Sequence, residues 1–386
     1  MKIIPYGKQI ISKQDKLAVS RSLDQDLISS GKNINLFENK IKKFLSCKYS
    51  IVCNSGTSAL HMAIVAIDLK KNDIVIMPSV NFISSFNICN LMGAKIYLAD
   101  IDPLTGQMTP QNLIDCIIKN NLKNIKTVII SQIGGHPENI KEFYFLKKKY
   151  KFLLIEDACH SFGSEYFYKK KLLKVGSCKH ADISTFSFHP LKSITTGEGG
   201  AVTTNNKIFA KKCRMFRSHG ILRTKNHWEY DVMFSGLNYR ISDINCALGI
   251  SQLNQLKKFI NFRKNIAKEY RKFFKKIPNI VKLPSYNKKN SSSWHLFLIS
   301  LNFKKLKCHK SDLIKFFLKK KIMLQFHYIP IYKFSIFKKN FKNLKMTGSE
   351  KYFTNTISLP IYYNLTKKKL NYIFNCMSLF LKKNSI

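Results

Sequence analysis

Three short segments carry residue types that could do chemistry. The run FSFHPLKSITTGEGGAV, from Phe186 to Val202, places Lys192 between an apolar stretch and a Gly-rich return. Such surroundings can restrict water and depress an amine pKa, which a Schiff-base lysine requires. In IEDACHSFG, Asp157 follows the apolar run Phe152 to Ile155. A carboxylate there must be paired or hydrogen-bonded, because an isolated buried charge is too costly. In NSGTSAL, from Asn54 to Leu60, small residues follow one apolar run and open a helical pattern. They let the backbone approach an anion, and unpaired amides with the helix dipole favour a phosphate there. Each segment also has an ordinary structural reading: Lys192 is one lysine of many, Asp157 can cap the next helix, and Ser, Gly and Thr are common helix caps.

Order along the chain favours the chemical reading. A phosphate-type turn, a strand-end carboxylate and a strand-end lysine are what pyridoxal 5′-phosphate needs. Its phosphate takes a helix N-terminus, its pyridine nitrogen an acid that keeps it protonated, and its aldehyde an amine. No metal is required.

The elements that must bring these residues together are legible as alternating apolar runs and helical patterns. Strands are expected at Tyr49–Cys53, Asp73–Met77, Lys95–Ala99, Thr127–Ser131, Phe152–Ile155, Ile183–Phe188 and Ala201–Thr204. Helices are expected at Ser58–Leu69, Ser84–Leu91, Pro110–Ile118 and Ile140–Tyr150. This is the α/β pattern of a mostly parallel central sheet flanked by helices, whose sites lie beyond the carboxyl ends of the strands. A long helix from Ser242 to about Lys276 follows, then a polar stretch, Ser285 to Ser293. Beyond it come a strand (Trp294–Leu301), a helix (Ser311–Lys319), an extended segment (Ile322–Tyr332) and a closing helix (Lys367–Leu381), which together read as a smaller α/β domain. The expected division is 1–245 for the N-terminal segment and large domain, 246–284 for a linking helix, and 285–386 for the small C-terminal domain.

Charge and cysteine usage exclude several alternatives. The formal charge is +44, yet only seven of the 66 basic residues are Arg, the residue favoured for planar phosphate and guanine recognition. The lysines are scattered with Asn, Ile and Phe, so no specific nucleic-acid partner is expected. Ten cysteines contain no CxxC pair and no zinc-type spacing, which argues against a disulfide framework or a metal site. Met1 to Ser12 has no apolar h-region, and no run of 18 apolar residues occurs. A cytoplasmic protein with no membrane partner is expected.

The segments SFHPLKSITTGEGGAV, FRSHGIL (Phe216 to Leu222), GLNYRISDINCALGISQL (Gly236 to Leu253) and QFHYIPIY (Gln325 to Tyr332) make the chain resemble a known family over essentially its whole length. It is similar to the sugar-nucleotide aminotransferases grouped with DegT and StrS, which are fold type I pyridoxal-phosphate enzymes, and within them to the pseudaminic-acid branch. The resemblance implies that Lys192 carries the cofactor's aldehyde, that Asp157 partners its ring nitrogen, and that His160 lies near its phenolic oxygen. Gly56, Thr57 and Ser187 would hold the phosphate, and Phe82 would cover one ring face. Asn238 would reach the phosphate of the neighbouring subunit in a homodimer with shared active sites. Tyr6, the stretch Asp26, Leu27, Ile28 and Ser29, and the group Gln325, His327 and Tyr328 match sugar-nucleotide contacts. Arg217 and Arg240 are further candidates, for which structural ion pairs are the commoner explanation. Gly134, Gly135 and His136, after the fourth strand, occupy a place where members of the family vary.

The activity so implied is transfer of an amino group from L-glutamate to the 4-keto position of a UDP-linked 4-keto-6-deoxy-hexose. Alternatives are another nucleotide keto-sugar, of perosamine or bacillosamine type, or a non-catalytic scaffold or regulator. Relatives that remove a sugar hydroxyl carry His in place of the Schiff-base lysine, and Lys192 points away from that route.

Overall fold

The structure, a computed structural model, describes residues 3–384 apart from 224, 225, 227 and 343. Apolar runs covered on both faces become the strands of a central sheet. They are β1 (Tyr49–Cys53), β2 (Ile74–Pro78), β3 (Lys95–Ala99), β4 (Ile125–Ser131) and β5 (Leu153–Asp157). After a hairpin of β6 (Glu165–Tyr168) and β7 (Lys171–Lys174) come β8 (Ile183–Ser187) and β9 (Gly200–Thr204). The seven-stranded order is β1-β9-β8-β5-β4-β2-β3. Strands β3, β2, β4, β5 and β8 pair in parallel, whereas β9 is antiparallel to both of its neighbours. The connection from Ser187 to Gly200 contains no crossover helix, so the chain folds back beside β8 and leaves Lys192 in the return.

Helices α1 (Lys13–Leu23), α2 (Lys32–Leu45), α3 (Gly56–Ala66), α4 (Ser84–Leu91), α5 (Pro110–Lys119), α6 (Ile140–Tyr150), α7 (Lys207–Phe216) and α8 (Asp243–Phe274) surround this sheet. Strand alternation assigns the layers: Ile51 and Cys53 pack with α3 and α4, while Val52 faces Phe37 and Ile41 of α2. Local starts follow capping chemistry. Thr109 and Asn112 close a capping box around Pro110 at the start of α5, and Ser242 accepts from the Asn245 amide at the start of α8.

Four helices go beyond the expected set: α1, α2 and α7 here, and Thr347–Asn355 in the C-terminal part. The first has little apolar periodicity, since its buried residues are Asp15 and Ser22. It is held instead by polar contacts, with Asp15 accepting from Gln252 Nε2 at 2.7 Å.

A short hairpin of β10 (Ile221–Arg223) and β11 (Tyr230–Val232) precedes α8. After it, β12 (Val281–Lys282), β13 (Phe297–Leu301) and β14 (Thr356–Leu359) form a separate antiparallel sheet, accompanied by α9 (Lys310–Lys319), α10 (Thr347–Asn355) and α11 (Lys367–Asn384). Its apolar cluster takes in Ile266, Ala267, Tyr270 and Phe274 from the second half of α8. The strand expected from Trp294 begins at Phe297, because Trp294 adopts φ +51°. The segment 322–332 joins no sheet; it is held by the bridges Ile4↔Ile322 and Gln325↔Ser358 and ends in a 3₁₀ turn. Among the described residues no helix is long and apolar enough to cross a membrane.

Candidate active site

A cavity of about 500 Å³ lies at the carboxyl ends of the parallel strands. Its floor is made by strand ends. Asp157 is the last residue of β5 and Ser187 the last of β8, while Gly56 opens α3 directly after β1. The amides of Gly56 and Thr57 have no intrahelical acceptor by position. Ser58 N–H is already taken by the capping Ser55 Oγ at 3.0 Å. A Cβ on residue 56 would come within 2.7 Å of Ser187 Cβ, so glycine is what lets the helix start lie against Ser187.

Asp157 is buried, and its carboxylate accepts from Ser85 Oγ and from the Cys159 amide, both at 3.3 Å. Ser85 in turn accepts from Asn81 Nδ2 at 3.2 Å. Lys192 shares the cavity. Burial lowers its pKa, opposed in part by the nearby Cys159 and Asp157, so the neutral amine is favoured relative to an exposed lysine. Its backbone carbonyl accepts from Nη2 of Arg263, a buried α8 residue, at 3.1 Å.

The roof comes from Gln325–Tyr328 with Tyr6 beside it. His327 Nδ1 lies 2.8 Å from Ser358 Oγ on β14, and the Tyr352 hydroxyl donates to the His327 carbonyl at 2.6 Å. Burial, with a contribution from Lys192, pushes the His327 pKa down to about 3. The Tyr6 and His327 rings are 5.3 Å apart, and Phe82, half exposed, packs against Tyr328 at 5.6 Å. His160 joins floor to roof, with Nε2 2.9 Å from the Tyr328 hydroxyl.

Eleven of the residues singled out from sequence therefore line one cavity: Lys192, Asp157, His160, Gly56, Thr57, Phe82, Ser187, Tyr6, Gln325, His327 and Tyr328. Asn238 and Asp26–Ser29 do not line it. They are exposed and lie at the start of α8, where Ser29 bridges Ser242 and the Asp243 amide donates to Ile28 O. Arg217 is bound up in an ion pair with Glu38 at 2.8 Å, the structural alternative. Sequence reasoning missed Ser85, Arg263 and His295. The last lines the cavity 4.2 Å from the His160 ring, and its buried Nδ1 has no hydrogen-bond partner among the described residues. Only the Ser-rich start of α4 carried a signal for Ser85.

These residues fit pyridoxal 5′-phosphate. Free helix amides and the Ser187 hydroxyl suit its phosphate, a buried carboxylate its ring nitrogen, and a desolvated amine its aldehyde. The unpartnered His295 Nδ1 leaves a further polar atom for a ligand.

Comparison with known proteins agrees. Residues 9–378 match the DegT/DnrJ/EryC1/StrS aminotransferase family. The UDP-4-amino-4,6-dideoxy-N-acetyl-beta-L-altrosamine transaminase of Campylobacter jejuni strain 81-176 is 36% identical over 383 residues, 99% of this chain and 98% of that protein. The GDP-perosamine synthase of Escherichia coli O157:H7 is 31% identical over 381 residues, 98% of this chain and 99% of that protein. The solved structure of Helicobacter pylori PseC, an aminotransferase of pseudaminic acid biosynthesis, superposes with a TM-score of 0.90 at 29% identity, covering 99% of this chain and 100% of that one. The chain is thus an aminotransferase with pyridoxal 5′-phosphate as its cofactor, and it belongs to the DegT/DnrJ/EryC1/StrS aminotransferase family.

Proposed function

We propose that this enzyme transfers the amino group of L-glutamate to the 4-keto carbon of a UDP-linked 4-keto-6-deoxy-hexose, in the cytoplasm, on the route to pseudaminic acid. The observation that carries the chemistry is the meeting of Lys192 with Asp157 beside the free N-terminus of α3 in one cavity. The sugar rests on the Campylobacter jejuni relative, which matches along nearly the full length of both chains.

When bound, the cofactor supplies an electron sink for the carbanion formed at the donor's α-carbon. The chain's own residues do the rest. Gly56 and Thr57 amides with Ser187 Oγ bind the phosphate, and Asp157 holds the ring-nitrogen proton. Lys192 Nζ takes the α-proton from the donor and delivers one to the sugar carbon in the second half-reaction, a role that the neutral amine favoured by burial can fill. Phe82 covers a cofactor face, while Tyr6, Gln325 and His327 hold the sugar nucleotide.

We assign Asn238 and Asp26–Ser29 to the active site of a second subunit in a homodimer. Their exposure outside this chain's own cavity supports that assignment, as do the exposed apolar side chains of Leu27, Ile28, Val232, Met233 and Leu237 around them in sequence.

The Escherichia coli relative favours one alternative, a GDP-linked acceptor leading to a perosamine-type product. The test supplies the purified enzyme with L-glutamate and a panel of UDP-, GDP- and dTDP-linked keto-sugars, and identifies the product by mass and NMR. Amination of the UDP 4-keto sugar is expected. Turnover confined to a GDP sugar would replace the substrate assignment and leave the cofactor chemistry intact.

A further inference from the structure

Gly134, in the loop after β4, serves neither the phosphate nor the lysine. It adopts φ +77°, a left-handed conformation open to glycine without steric cost. There its amide N–H donates to His160 Nδ1 at 3.4 Å. A backbone amide can only donate, so Nδ1 presents a lone pair and a neutral His160 must carry its proton on Nε2. His160 is held neutral: burial, with the charges of Lys192 and His327 adding to it, drives its pKa well below the ordinary 6.5. The His295 ring on its other flank is held neutral by burial in the same way.

Nε2 lies 2.9 Å from the Tyr328 hydroxyl, and with the tautomer fixed that bond has one direction. His160 donates and the phenol oxygen accepts. The phenol proton is left over. Among the described residues no protein acceptor takes it, and the Tyr328 side chain lines the cavity. Burial first, then the neighbouring Asp157 and Cys159, raises the Tyr328 pKa and keeps that proton in place.

We propose that Tyr328 is a one-way hydrogen-bond donor into the cavity, its polarity imposed by the chain Gly134 N–H to His160 to Tyr328, and that it donates to an oxygen of the reacting system. Two oxygens have the required chemistry, the cofactor's phenolic oxygen and the keto oxygen of the sugar; the second rests on the reading under Proposed function. Donation from His160 polarises the phenol and makes it the stronger donor. His160 is in this sense a positioning residue. It cannot pass a proton on, because the amide behind it has none to give.

The first test is nitrogen NMR of the histidine rings in the cofactor-loaded enzyme, with His160 assigned by loss of its signal in His160→Gln. A protonated Nε2 and bare Nδ1, unchanged from about pH 5 to 8, are expected. An Nδ1–H tautomer, or titration near the ordinary value, overturns the proposal. The second test compares Tyr328→Phe with wild type by the pH dependence of the bound cofactor's absorption and by each half-reaction alone. A shifted absorption profile places the acceptor on the cofactor. An unchanged profile with the keto-sugar half-reaction slowed ~10²–10³-fold, and the glutamate half-reaction untouched, places it on the sugar. If neither changes, Tyr328 donates to nothing that reacts and the idea is wrong. The NMR and absorption measurements need no sugar, so the imposed tautomer and donation to the cofactor are tested even if the assigned substrate is incorrect.

Discussion

Floor and roof of the cavity are built by different means. Asp157 and Ser187 are fixed by the ladder of the sheet, with Asp157 paired in register with Thr185 on β8. The roof segment Gln325–Tyr328 belongs to no named strand: Gln325 is anchored by an isolated backbone bridge to Ser358 of β14, and the residues that follow are pinned through side chains, Ser358 on His327 Nδ1, Tyr352 on the His327 carbonyl, and His160 on Tyr328. A ladder leaves its strand-end residues little freedom, which suits groups that must meet a reacting centre within a fraction of an ångström. A segment held by a few hydrogen bonds can be repositioned by changing one partner. That suits discrimination between sugars, which depends on a small number of placed polar contacts. Changes to the floor should therefore abolish chemistry with any substrate, whereas changes to roof residues assigned to the sugar, such as His327, should alter one half-reaction.

Lys192→Ala should have the largest effect, a loss on the order of 10⁴-fold or more in both half-reactions, because one amine serves both. Borohydride should fix the coenzyme to wild type and fail to do so in the variant. Residual transamination near wild-type rates would contradict the assigned role. Asp157→Asn keeps the shape and removes the charge. Turnover should fall ~10²–10³-fold while capture of the coenzyme by Lys192 persists. Loss of capture with turnover per bound coenzyme intact would mean that Asp157 builds the site and does not stabilise charge.

Beneath the same strand end, Glu156 points into the core, where its carboxyl accepts from Ser184 Oγ at 2.5 Å. Burial pushes its pKa up to about 7 from the ordinary 4.5. The folded state thus binds a proton more tightly than the unfolded chain. The associated stability is fully present below the unfolded value and is lost as pH rises from there through about 7. Glu156→Gln should flatten that slope and raise stability at pH 8 by about 1–3 kcal/mol, read from urea denaturation at several pH values. An unchanged slope would place the carboxylate in a better-solvated setting than its burial suggests.

The floor was partly legible in the sequence, because the NSGTSAL turn, Asp157 and Lys192 each come after an apolar run and local pattern put them at one edge, whereas Ser187 was named only by the family resemblance. What pattern could not reach were contacts made across the fold. Ser85 meets Asp157 from 72 residues away, and Arg263 reaches the Lys192 carbonyl from 71. No periodicity encodes such pairs. Helix α1 escaped for a related reason: its buried side chains are polar, and a polar residue gives no apolar period even when fully enclosed. Residues 322–332 read as extended; the structure bridges only Ile322 and Gln325 and turns into a 3₁₀ helix at Ile331. Their role as a roof came from Ser358 and Tyr352, which lie on later elements.

Ser358→Ala is the mildest change and probes the roof most directly. It removes the hydroxyl that meets His327 Nδ1 and touches nothing on the floor. His327 is buried, so its ring nitrogen would be left without a partner, a penalty of ~1–3 kcal/mol that the ring relieves by turning. Turning moves the group assigned to the sugar nucleotide, while Lys192, Asp157 and the helix start of α3 stay in place. The KM for the keto-sugar should rise roughly 10-fold, the size expected from part of that penalty, with the glutamate half-reaction unchanged. Single-turnover measurement of the two half-reactions separates these effects. Equal slowing of both would mean that floor and roof move as one body, and the division of labour between ladder-held chemistry and side-chain-held recognition would fail.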